Sequence, residues 1–459
     1  MLTKPLDSSF RDPSGYIFTQ GETIFRQINK SYQQNYDLLM KSGLYGKLVS
    51  LGYLIEHREI RSPENSPPAY KIIQPQKIPF ISYPYEWCFS MLKDAAVLTL
   101  TIQKLAMEYG LSLKDASAFN IQFLKGKPIL IDTLSFEKYA EGKPWIAYRQ
   151  FVEHFLGPLA LMSMKDIRLS RLTSLFIDGI PVDLASRLLP FRSKLKLSLL
   201  LHIHAHSTGQ KKFSERKITG QELKSFSRRS FLGLIDNLES GVAGLSWNPK
   251  GTQWAGYYKE NGHNYTDSTF KQKAEVIRKF VKLTAPKTVW DMGANTGYFS
   301  RVAGETGALV IALDADYGAL EKNYLETVKN NEKNILPLFL DLTNPTPAIG
   351  WANTERLSIL NRGPADLILA LALLHHLAIS KNIPLKNIAS LFSQLTNHLV
   401  IEFVPKEDSQ VKRLLLNRED IFPDYNKDGF EKAFKDFFQI KKAIPLRQSQ
   451  RIIYLMEKR

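Results

Sequence analysis

The sequence predicts an α/β fold for residues 266–459, built as a doubly wound sheet, and three observations carry this prediction. Apolar runs of strand length recur along this part of the chain. Three of the runs end at an aspartate, and the first leads into a glycine-containing turn. The segments between the runs are long enough for helices, and strands that alternate with helices are typical of α/β sheets.

The first run, residues 287–291, enters the turn Asp-Met-Gly-Ala-Asn-Thr-Gly, and a helix-like segment follows. Gly293 and Gly297 can adopt backbone angles that are closed to other residues, and they leave room for a ligand beside the main chain. The spacing differs from the dinucleotide pattern Gly-x-Gly-x-x-Gly. Asp291 stands before the first glycine and suits a ligand that carries a positive charge better than a pyrophosphate. S-adenosylmethionine, with its ammonium and sulfonium groups, is such a ligand.

Further runs complete the predicted sheet, and they cover residues 308–314, 334–341, 365–375, 398–404 and 450–456. The second strand ends at Asp314 and the third at Asp341. The fourth is apolar throughout and leads into His375 and His376. Doubly wound sheets bind ligands at the carboxyl ends of their strands, so we expect these side chains to border one site.

With these residues, the C-terminal part of the chain resembles the class I S-adenosylmethionine-dependent methyltransferases. The resemblance implies a Rossmann-like sheet of seven strands and S-adenosyl-L-methionine as the cofactor. It also implies that Asp314 binds the ribose hydroxyls and that Asp341 contacts the adenine amino group. The cofactor-binding residues expected on this basis are Asp291, Gly293, Asn295, Gly297, Asp314 and Asp341.

Methyl transfer chiefly requires that the donor and the acceptor are aligned and that water is excluded. If the acceptor is a hydroxyl or an acidic carbon, a base must also take a proton, and a histidine suits that task. His375 or His376 is the predicted base, with Glu402 at the end of the fifth strand as the alternative. Because adjacent residues at a strand end point in different directions, we expect one of the two histidines to line the acceptor pocket.

The resemblance also limits the class of methyl acceptor. Methylation at carbon 5 of a pyrimidine needs a cysteine near the fourth or sixth strand, whereas the one cysteine, Cys88, lies far upstream. The Asn/Asp-Pro-Pro-Tyr signature of exocyclic-amine methylation is replaced by Ala-Leu-Ala-Leu at 370–373. The fourth strand ends without the acid of ribose methyltransferases. The His-His-Leu sequence resembles small-molecule methyltransferases of the ubiquinone-biosynthesis kind, which implies a small-molecule acceptor and leaves the methylated atom open between oxygen, nitrogen and carbon.

The chain has 459 residues, so two or three domains are expected. We predict an N-terminal α+β domain over 1–175, a helical basic connector over 176–265 and the methyltransferase-like domain over 266–459. The net charge is +16, and residues 187–230 hold eleven Lys or Arg residues against two Glu. Such a cluster is typical of a solvated linker, or it attracts RNA or an anionic membrane surface. An RNA methyltransferase that uses the connector is therefore the alternative function.

The N-terminus lacks an apolar run, which predicts no signal peptide, and no apolar stretch is long enough for a membrane span. A single cysteine excludes an internal disulfide framework and is typical of the reducing cytoplasm. These features predict a cytoplasmic protein.

A second constellation lies in the N-terminal region. Asp115, Asn120 five residues later, and Asp132 after an apolar run follow the order of a kinase catalytic loop and its magnesium-binding acid. The region therefore distantly resembles the protein-kinase-like and aminoglycoside phosphotransferase-like fold, and residues 15–26 suit a small β-lobe. Several family features are missing, including the glycine-rich loop, and Arg26 is the only candidate for the cation that pairs with phosphate. A bifunctional or regulatory protein with an ATP-binding lobe is the second alternative.

Two smaller motifs complete the sequence. His202, His204 and His206 alternate, and on a strand they would share one face as a metal site requires, but the preceding apolar run also predicts a helix. Four aromatic residues lie in 254–265, a segment that lids the cofactor in the methyltransferase family or packs against the sheet.

Overall fold

The computed structural model describes residues 5–60, 69–205, 227–249, 266–416 and 418–459. They divide into two compact units. Unit 1 comprises Met1–Asn248 and Ala348–Arg356, and unit 2 comprises Pro249–Pro347 and Leu357–Arg459. Among the described residues, none of the helices combines the length and the apolar character needed to cross a membrane.

Unit 1 is built from antiparallel strands and helices. Its largest sheet has four strands in the order β1-β2-β4-β3, namely β1 (Gly15–Gln20), β2 (Thr23–Ile28), β3 (His57–Ile60) and β4 (Lys71–Pro75). Two antiparallel pairs follow, formed by β5 (Leu111–Leu113) with β8 (Phe136–Lys138) and by β6 (Ile121–Leu124) with β7 (Lys127–Leu130).

The longest helix of unit 1 among the described residues, Phe89–Glu108, is largely buried and contacts the helices Leu44–Ser50, Gly157–Met164 and Arg228–Ala243. The other helices and helical turns are Lys30–Tyr32, Gln33–Lys41, Leu44–Ser50, Pro84–Glu86, Ala118–Asn120, Thr133–Ser135, Tyr148–Phe151, Val152–Leu156, Gly157–Met164, Ile167–Arg171, Leu172–Leu175, Val182–Leu188, Phe191–Leu195, Leu197–Leu199, Leu200–Ala205, Arg228–Ala243 and Trp351–Asn353. The first part of the chain is thus α+β.

The described part of the predicted connector includes a helix that packs within unit 1. In the helix Arg228–Ala243, four apolar residues at helical spacing are buried, namely Phe231, Ile235, Leu238 and Val242. This face packs against the helix Phe89–Glu108, whose Lys93 donates hydrogen bonds to backbone oxygens at the far end of Arg228–Ala243 and beyond it. The described residues between 176 and 248 therefore lie in unit 1, whose first segment ends at Asn248, whereas the predicted boundaries lie at 175 and 265.

Unit 2 contains a mixed sheet of seven strands in the order β11-β10-β9-β12-β13-β15-β14. The strands are β9 (Thr288–Met292), β10 (Leu309–Asp314), β11 (Ile335–Phe339), β12 (Ala365–Ala370), β13 (Thr396–Phe403), β14 (Phe438–Pro445) and β15 (Ile452–Lys458). The five strands from β9 to β13 pair in parallel, and β15 pairs antiparallel with β13 and β14. The α/β class predicted for this part of the chain is confirmed.

The strand order makes the sheet doubly wound. The chain steps outward from β9 to β10 and β11, and then returns to the other side of β9 for β12 and β13. Because parallel crossovers are right-handed, this reversal places the connecting helices on opposite faces of the sheet. The helices of unit 2 are Asp267–Thr284, Tyr298–Gly304, Tyr317–Lys329, Ile359–Arg362, His376–Ser380, Leu385–Leu395, Ser409–Leu415 and Lys427–Lys435. A crevice is expected where the order reverses, at the carboxyl ends of β9 and β12.

Candidate functional site

A cavity of about 560 Å³ lies at the carboxyl ends of β9 to β12. Most of the residues predicted from the sequence line it, namely Asp291, Gly293, Asn295, Asp314, Asp341, His375 and His376. Gly297 and Glu402 are not part of its wall. Residues from four strand ends thus meet at one place, as the shared edge of a parallel sheet requires.

The turn after β9 is tied to the neighbouring strand. The backbone N–H groups of Gly293 and Ala294 donate to the carbonyl oxygen of Leu313, at 2.8 and 3.0 Å. Gly293, Asn295 and Gly297 all have positive φ angles, 79°, 52° and 82°. These bonds fix the turn against β10, so that Gly293 and Asn295 face the cavity.

Gly297 has a structural role beside the site. A Cβ atom at this position would lie 2.3 Å from Oδ1 of Asn323 and 2.5 Å from a guanidinium nitrogen of Arg301. The residue also precedes the helix Tyr298–Gly304 in a left-handed conformation. Glycine is therefore required here by packing and by backbone angle.

Asp291 is a buried carboxylate at the floor of the cavity. The hydroxyl of Ser300 donates to its Oδ2 at 2.6 Å. Burial raises the pKa of Asp291 to about 7, and the nearby Asp314 adds to the rise, while Ser300 and Lys273 act against it. Within the described part of the chain, Asp291 has no ion-pair partner. A buried carboxylate that lacks a direct ion pair favours a cationic ligand.

Asp314 is held by the backbone on both sides. The N–H of Asn295 donates to Oδ2 and the N–H of Asp316 to Oδ1, both at 2.7 Å. Burial raises the pKa of Asp314 to about 6, against the effect of these hydrogen bonds. The carboxylate is thus fixed at the end of β10, where it can accept hydrogen bonds from a ligand in the cavity.

Asp341 follows β11 in a tight side-chain turn. Both the N–H and the hydroxyl of Thr343 donate to Oδ1, at 2.9 and 2.6 Å. These two bonds engage one carboxylate oxygen and set the direction in which Asp341 faces the cavity.

His375 and His376 both line the cavity, and their ring centroids are 4.2 Å apart. The sequence predicted that one of them lines the acceptor pocket, and the structure places both at the same cavity. β12 ends at Ala370, and a π-helical turn begins at His376 and runs to Ser380. The two histidines therefore lie beyond the strand, where successive side chains no longer alternate between its faces.

Burial lowers the pKa of both imidazoles, well below the usual value for His375 and to about 4 for His376. Both rings are therefore neutral at physiological pH. Nδ1 of His375 is buried and has no hydrogen-bond partner among the described residues. In that part of the chain, no group of three or more His, Cys, Asp or Glu residues is arranged to hold a metal ion.

Glu402 lies behind the cavity in a network of buried charges. Its Oε2 accepts from Nζ of Lys273 at 2.7 Å and from the N–H of Ala372 at 2.9 Å. Its Oε1 accepts from Arg451 at 3.5 Å. Ala372 has a positive φ of 50° and is part of the cavity wall. This geometry argues against Glu402 as the alternative base. Its carboxylate accepts hydrogen bonds from two cations and from the backbone turn at Ala372, and it does not line the cavity.

Sequence reasoning missed Lys273 and Arg451. Lys273 is buried, lines the cavity, and its Nζ lies 4.6 Å from the centre of the Phe299 ring. Burial lowers the pKa of this lysine, while Glu402 acts in the opposite direction. Arg451 also pairs with Asp408, at 2.8 Å. No local motif marks either residue, since both reach Glu402 from distant segments of the chain.

The second constellation is also brought together, inside unit 1. Arg26 pairs with Asp132 at 2.6 Å and with Asp12 at 3.2 Å. The pKa of Asp115 is raised, first by burial and then by Asp132, while a hydrogen bond with Asn120 acts to lower it. The four residues singled out in the sequence are thus neighbours, with Arg26 already engaged by two carboxylates.

The alternating histidines have structural partners. His202 contacts the hydroxyl of Tyr148 at 2.8 Å and Oδ1 of Asn237 at 2.9 Å. His204 contacts the hydroxyls of Ser186 and Ser193, at 2.9 and 2.8 Å. His206 and the aromatic segment 254–265 lie outside the described residues.

The fold and the site define unit 2 as an α/β domain with a cavity at the carboxyl ends of its parallel strands, where domains of this class bind ligands. Over 458 residues the chain is 34% identical to nodulation protein NoeA of Rhizobium meliloti (strain 1021), covering 98% of this chain and 95% of that protein. The chain therefore belongs to the same protein family as NoeA. No family model matches it.

Three solved structures with a partial likeness are crystal structures of WbdD, of magnesium protoporphyrin IX methyltransferase from Synechocystis PCC 6803 with bound SAH, and of the PH0226 protein from Pyrococcus horikoshii OT3. Their sequence identities are 17%, 14% and 15%, they cover 40%, 44% and 44% of this chain, and the TM-scores are 0.29, 0.31 and 0.32. The match spans 40% of the WbdD chain, 97% of the Synechocystis enzyme and 96% of PH0226. Scores this low carry no argument about the site.

Proposed function

We propose that unit 2 is a methyltransferase that moves a methyl group from S-adenosyl-L-methionine to an oxygen, nitrogen or carbon of a small-molecule acceptor. The observation that carries the proposal is Asp291, a buried carboxylate that forms no direct ion pair with the described residues and faces a cavity of about 560 Å³. A cavity of this size is typical of small-molecule and cofactor sites. The seven-stranded, doubly wound sheet is the architecture that the resemblance to class I methyltransferases implies.

The residues around the cavity fit this cofactor in charge and in hydrogen bonding. In the proposed arrangement, Asp291 attracts the cationic end of the ligand. Asp314 accepts hydrogen bonds from the ribose hydroxyls, and Asp341 accepts one from the adenine amino group. Gly293 and Asn295 shape the turn so that the main chain comes close to the ligand.

When bound, S-adenosylmethionine supplies a methyl group on a sulfonium, which is already activated for attack. The contribution of the protein is to align the acceptor in line with that group and to exclude water. Apolar side chains of Leu373, Leu377 and Leu414 line the cavity together with the histidines and suit water exclusion. They also favour a small acceptor with apolar parts over a polyanion.

Proton transfer is assigned to the two histidines. Both imidazoles are neutral, so each has a nitrogen lone pair available to accept a proton or to hold a hydroxyl. His375 is the stronger candidate, because its Nδ1 has no partner among the described residues. The lowered pKa makes it a weak base, which suits an acceptor that is itself acidic or loses its proton late.

The experiment that tests this function is a methyl-transfer screen. The full chain is incubated with labelled S-adenosylmethionine and a cell extract, and the extract is separated into RNA, protein and small-molecule fractions. We expect label in the small-molecule fraction with the wild-type protein and none with Asp291→Asn. Label in the RNA fraction would instead support an RNA methyltransferase, and absence of label in every fraction would count against methyl transfer.

A second candidate function is ATP binding by unit 1, as part of a bifunctional or regulatory protein. The observation that favours it is the proximity of Asp115, Asn120, Asp132 and Arg26. It predicts magnesium-dependent ATP binding that is lost in Asp132→Ala and kept in a control at a half-exposed acid, Asp183→Ala. Failure of the wild-type protein to bind ATP would remove this candidate and leave methyl transfer untouched.

We further propose a cytoplasmic location. The support is that Cys88 is the single cysteine of the sequence, which excludes an internal disulfide and is typical of a reducing compartment.

A further inference from the structure

A short surface segment of unit 1, residues 191–201, exposes an unusual number of large apolar side chains. We call it the apolar–basic segment. Phe191 is 76% exposed, Leu195 79% and Leu197 62%, and Leu200 and Leu201 are exposed as well. Single exposed leucines are common on proteins, whereas a contiguous group of them marks an interaction surface.

The exposed side chains do not contribute to the core of the fold. Leu197, Leu200 and Leu201 stand at i, i+3 and i+4, which places them on one side of the helical stretch that begins at Leu197. Leu199 and Ile203, at i and i+4 of another side, are fully buried. The core is thus supplied by one side of the segment while the other side presents leucines to water.

Basic residues interleave with the apolar ones. Arg192, Lys194 and Lys196 are all exposed, and Nζ of Lys194 lies 5.4 Å from the centre of the Phe191 ring. The sequence contains no acidic residue between Asp183 and Glu215. The surface therefore pairs exposed apolar groups with positive charge that is not balanced by neighbouring acids in the sequence.

We propose that the apolar–basic segment docks on an anionic lipid surface. Phe191, Leu195 and Leu197 enter the boundary between headgroups and acyl chains, and the basic side chains meet the lipid phosphates. Surface binding of this kind depends on buried apolar area together with attraction to anionic lipid. The proposal is independent of the methyl-transfer function and requires no membrane-spanning helix.

Two other occupants suit the segment less well. Single-stranded nucleic acid is bound by basic grooves with aromatic side chains on which bases stack, and here leucines stand in most of those places. A second copy of the chain, docked symmetrically through the same patch, would bring like charges into contact. A lipid surface satisfies both the leucines and the cations.

The test is cosedimentation of the full chain with two kinds of vesicle, one of phosphatidylcholine alone and one in which phosphatidylglycerol replaces part of it. Three variants are compared: Leu195→Ser with Leu197→Ser removes apolar groups, Lys194→Glu reverses a charge, and Leu283→Ser changes a leucine in unit 2 that is 57% exposed. Circular dichroism checks that each variant keeps its fold.

We expect the wild-type protein and Leu283→Ser to bind only the anionic vesicles. The leucine double variant should bind at least about tenfold more weakly, since two exposed apolar side chains are withdrawn from the interface. Lys194→Glu should weaken binding by a factor that shrinks as salt is added. No binding, equal binding to uncharged vesicles, or full binding by the leucine variant would overturn the proposal. Displacement of the vesicles by tRNA, or a stable dimer that the leucine variant abolishes, would do the same.

Discussion

At the scale of single residues, Glu402 separates two explanations that sequence alone leaves open. As a base it would face the substrate, whereas the structure surrounds it with Lys273, Arg451 and the N–H of Ala372. The side chains of Glu402, Lys273 and Arg451 are all buried. We therefore interpret Glu402 as the residue that positions the wall turn at Ala372.

This interpretation predicts a loss of stability in Glu402→Gln. The substitution keeps the shape of the side chain, removes the carboxylate paired with buried Lys273 and leaves Arg451 paired with Asp408 alone. Breaking a buried ion pair in this way costs roughly 3–5 kcal/mol. The midpoint of urea-induced unfolding should fall accordingly. The control is Glu305→Gln, which breaks a half-exposed ion pair with Arg278 and should cost no more than about 1 kcal/mol. A Glu402→Gln protein of normal stability that has lost only turnover would instead identify Glu402 as a base.

A second residue-scale prediction concerns pH. Burial raises the pKa of Asp291 to about 7 in the ligand-free fold, above the ordinary value of roughly 4. The folded protein thus holds this proton more tightly than the unfolded chain. The resulting stability is present below about pH 4 and is lost as the pH rises to about 7.

A cationic ligand prefers ionised Asp291, so the affinity for S-adenosylmethionine should rise with pH up to about 7. His376 does not interfere, because its pKa of about 4 leaves it neutral above that pH, and the pKa of His375 is also strongly lowered. Calorimetric titrations across the range measure the effect. Asp314, with a pKa of about 6, contributes to the same rise. In Asp291→Asn, the rise in affinity between about pH 6 and pH 7 should disappear. An unchanged dependence of affinity on pH in that variant would contradict the role assigned to Asp291.

The histidines give a third prediction. His375→Ala and His376→Ala should bind S-adenosylmethionine as the wild type does, because neither imidazole carries charge to the ligand. Turnover should fall by about 10²–10⁴ if one of them is the general base. Single-turnover assays on the acceptor fraction from the screen measure this. Normal turnover in both variants would show that the base assignment is wrong.

At the scale of elements, the turn between β9 and the helix Tyr298–Gly304 depends on glycine for two separable reasons. Gly297 needs both a positive φ and the space next to Asn323. Gly307 has a similar φ of 85°, yet a Cβ there would meet nothing within 4 Å. The two positions therefore form a matched pair.

We predict that Gly297→Ala destabilises the protein considerably more than Gly307→Ala. In Gly307→Ala, the control, the only cost is the left-handed backbone conformation of the alanine, about 1–2 kcal/mol. In Gly297→Ala, the new Cβ atom would also lie 2.3 Å from Oδ1 of Asn323. Gly297→Ala should also weaken cofactor binding, since the turn that carries Asn295 must shift. Unfolding midpoints and ligand titrations of both variants test this, and equal effects on the two would refute the packing argument.

Much of the sheet was predictable because buried parallel strands appear as apolar runs, and five such runs match β9 to β13. β14 escaped prediction because it is an edge strand with exposed Lys441 and Lys442, so its sequence has no apolar run. The helix Arg228–Ala243 did carry a signal, the helical spacing of its buried residues from Phe231 to Val242, which was outweighed by the basic residues around it.

The candidate site was predictable only in part. Asp291, Asp314 and Asp341 follow strands directly, so a shared edge brings them together. Lys273 was not predictable, because a lysine on an amphipathic helix is normally at the surface. Its burial depends on Glu402, 129 residues away in sequence, and no local pattern encodes that distance.

At the scale of the whole molecule, one short segment packs in a different unit from the residues on either side of it in sequence. Residues 348–356 lie in sequence between β11 and β12 of unit 2, yet they belong to unit 1. There Glu355 accepts two hydrogen bonds from Arg11, at 2.9 and 2.7 Å, and Arg356 lies 4.4 Å from the centre of the Phe119 ring. The identity to NoeA extends over 98% of the chain and therefore includes both units.

The central claim is that the cavity of unit 2 binds S-adenosylmethionine through Asp291, and isothermal titration of this ligand into the full chain tests it most directly. We predict one site per chain in the wild-type protein. In Asp291→Asn the affinity should fall by at least about thirtyfold, because losing one partner of a buried charge pair costs roughly 2–5 kcal/mol. NAD⁺ should not compete, since the turn lacks the pattern for a pyrophosphate. A folded wild-type protein that does not bind S-adenosylmethionine, or an Asp291→Asn variant that binds it equally well, would contradict the claim.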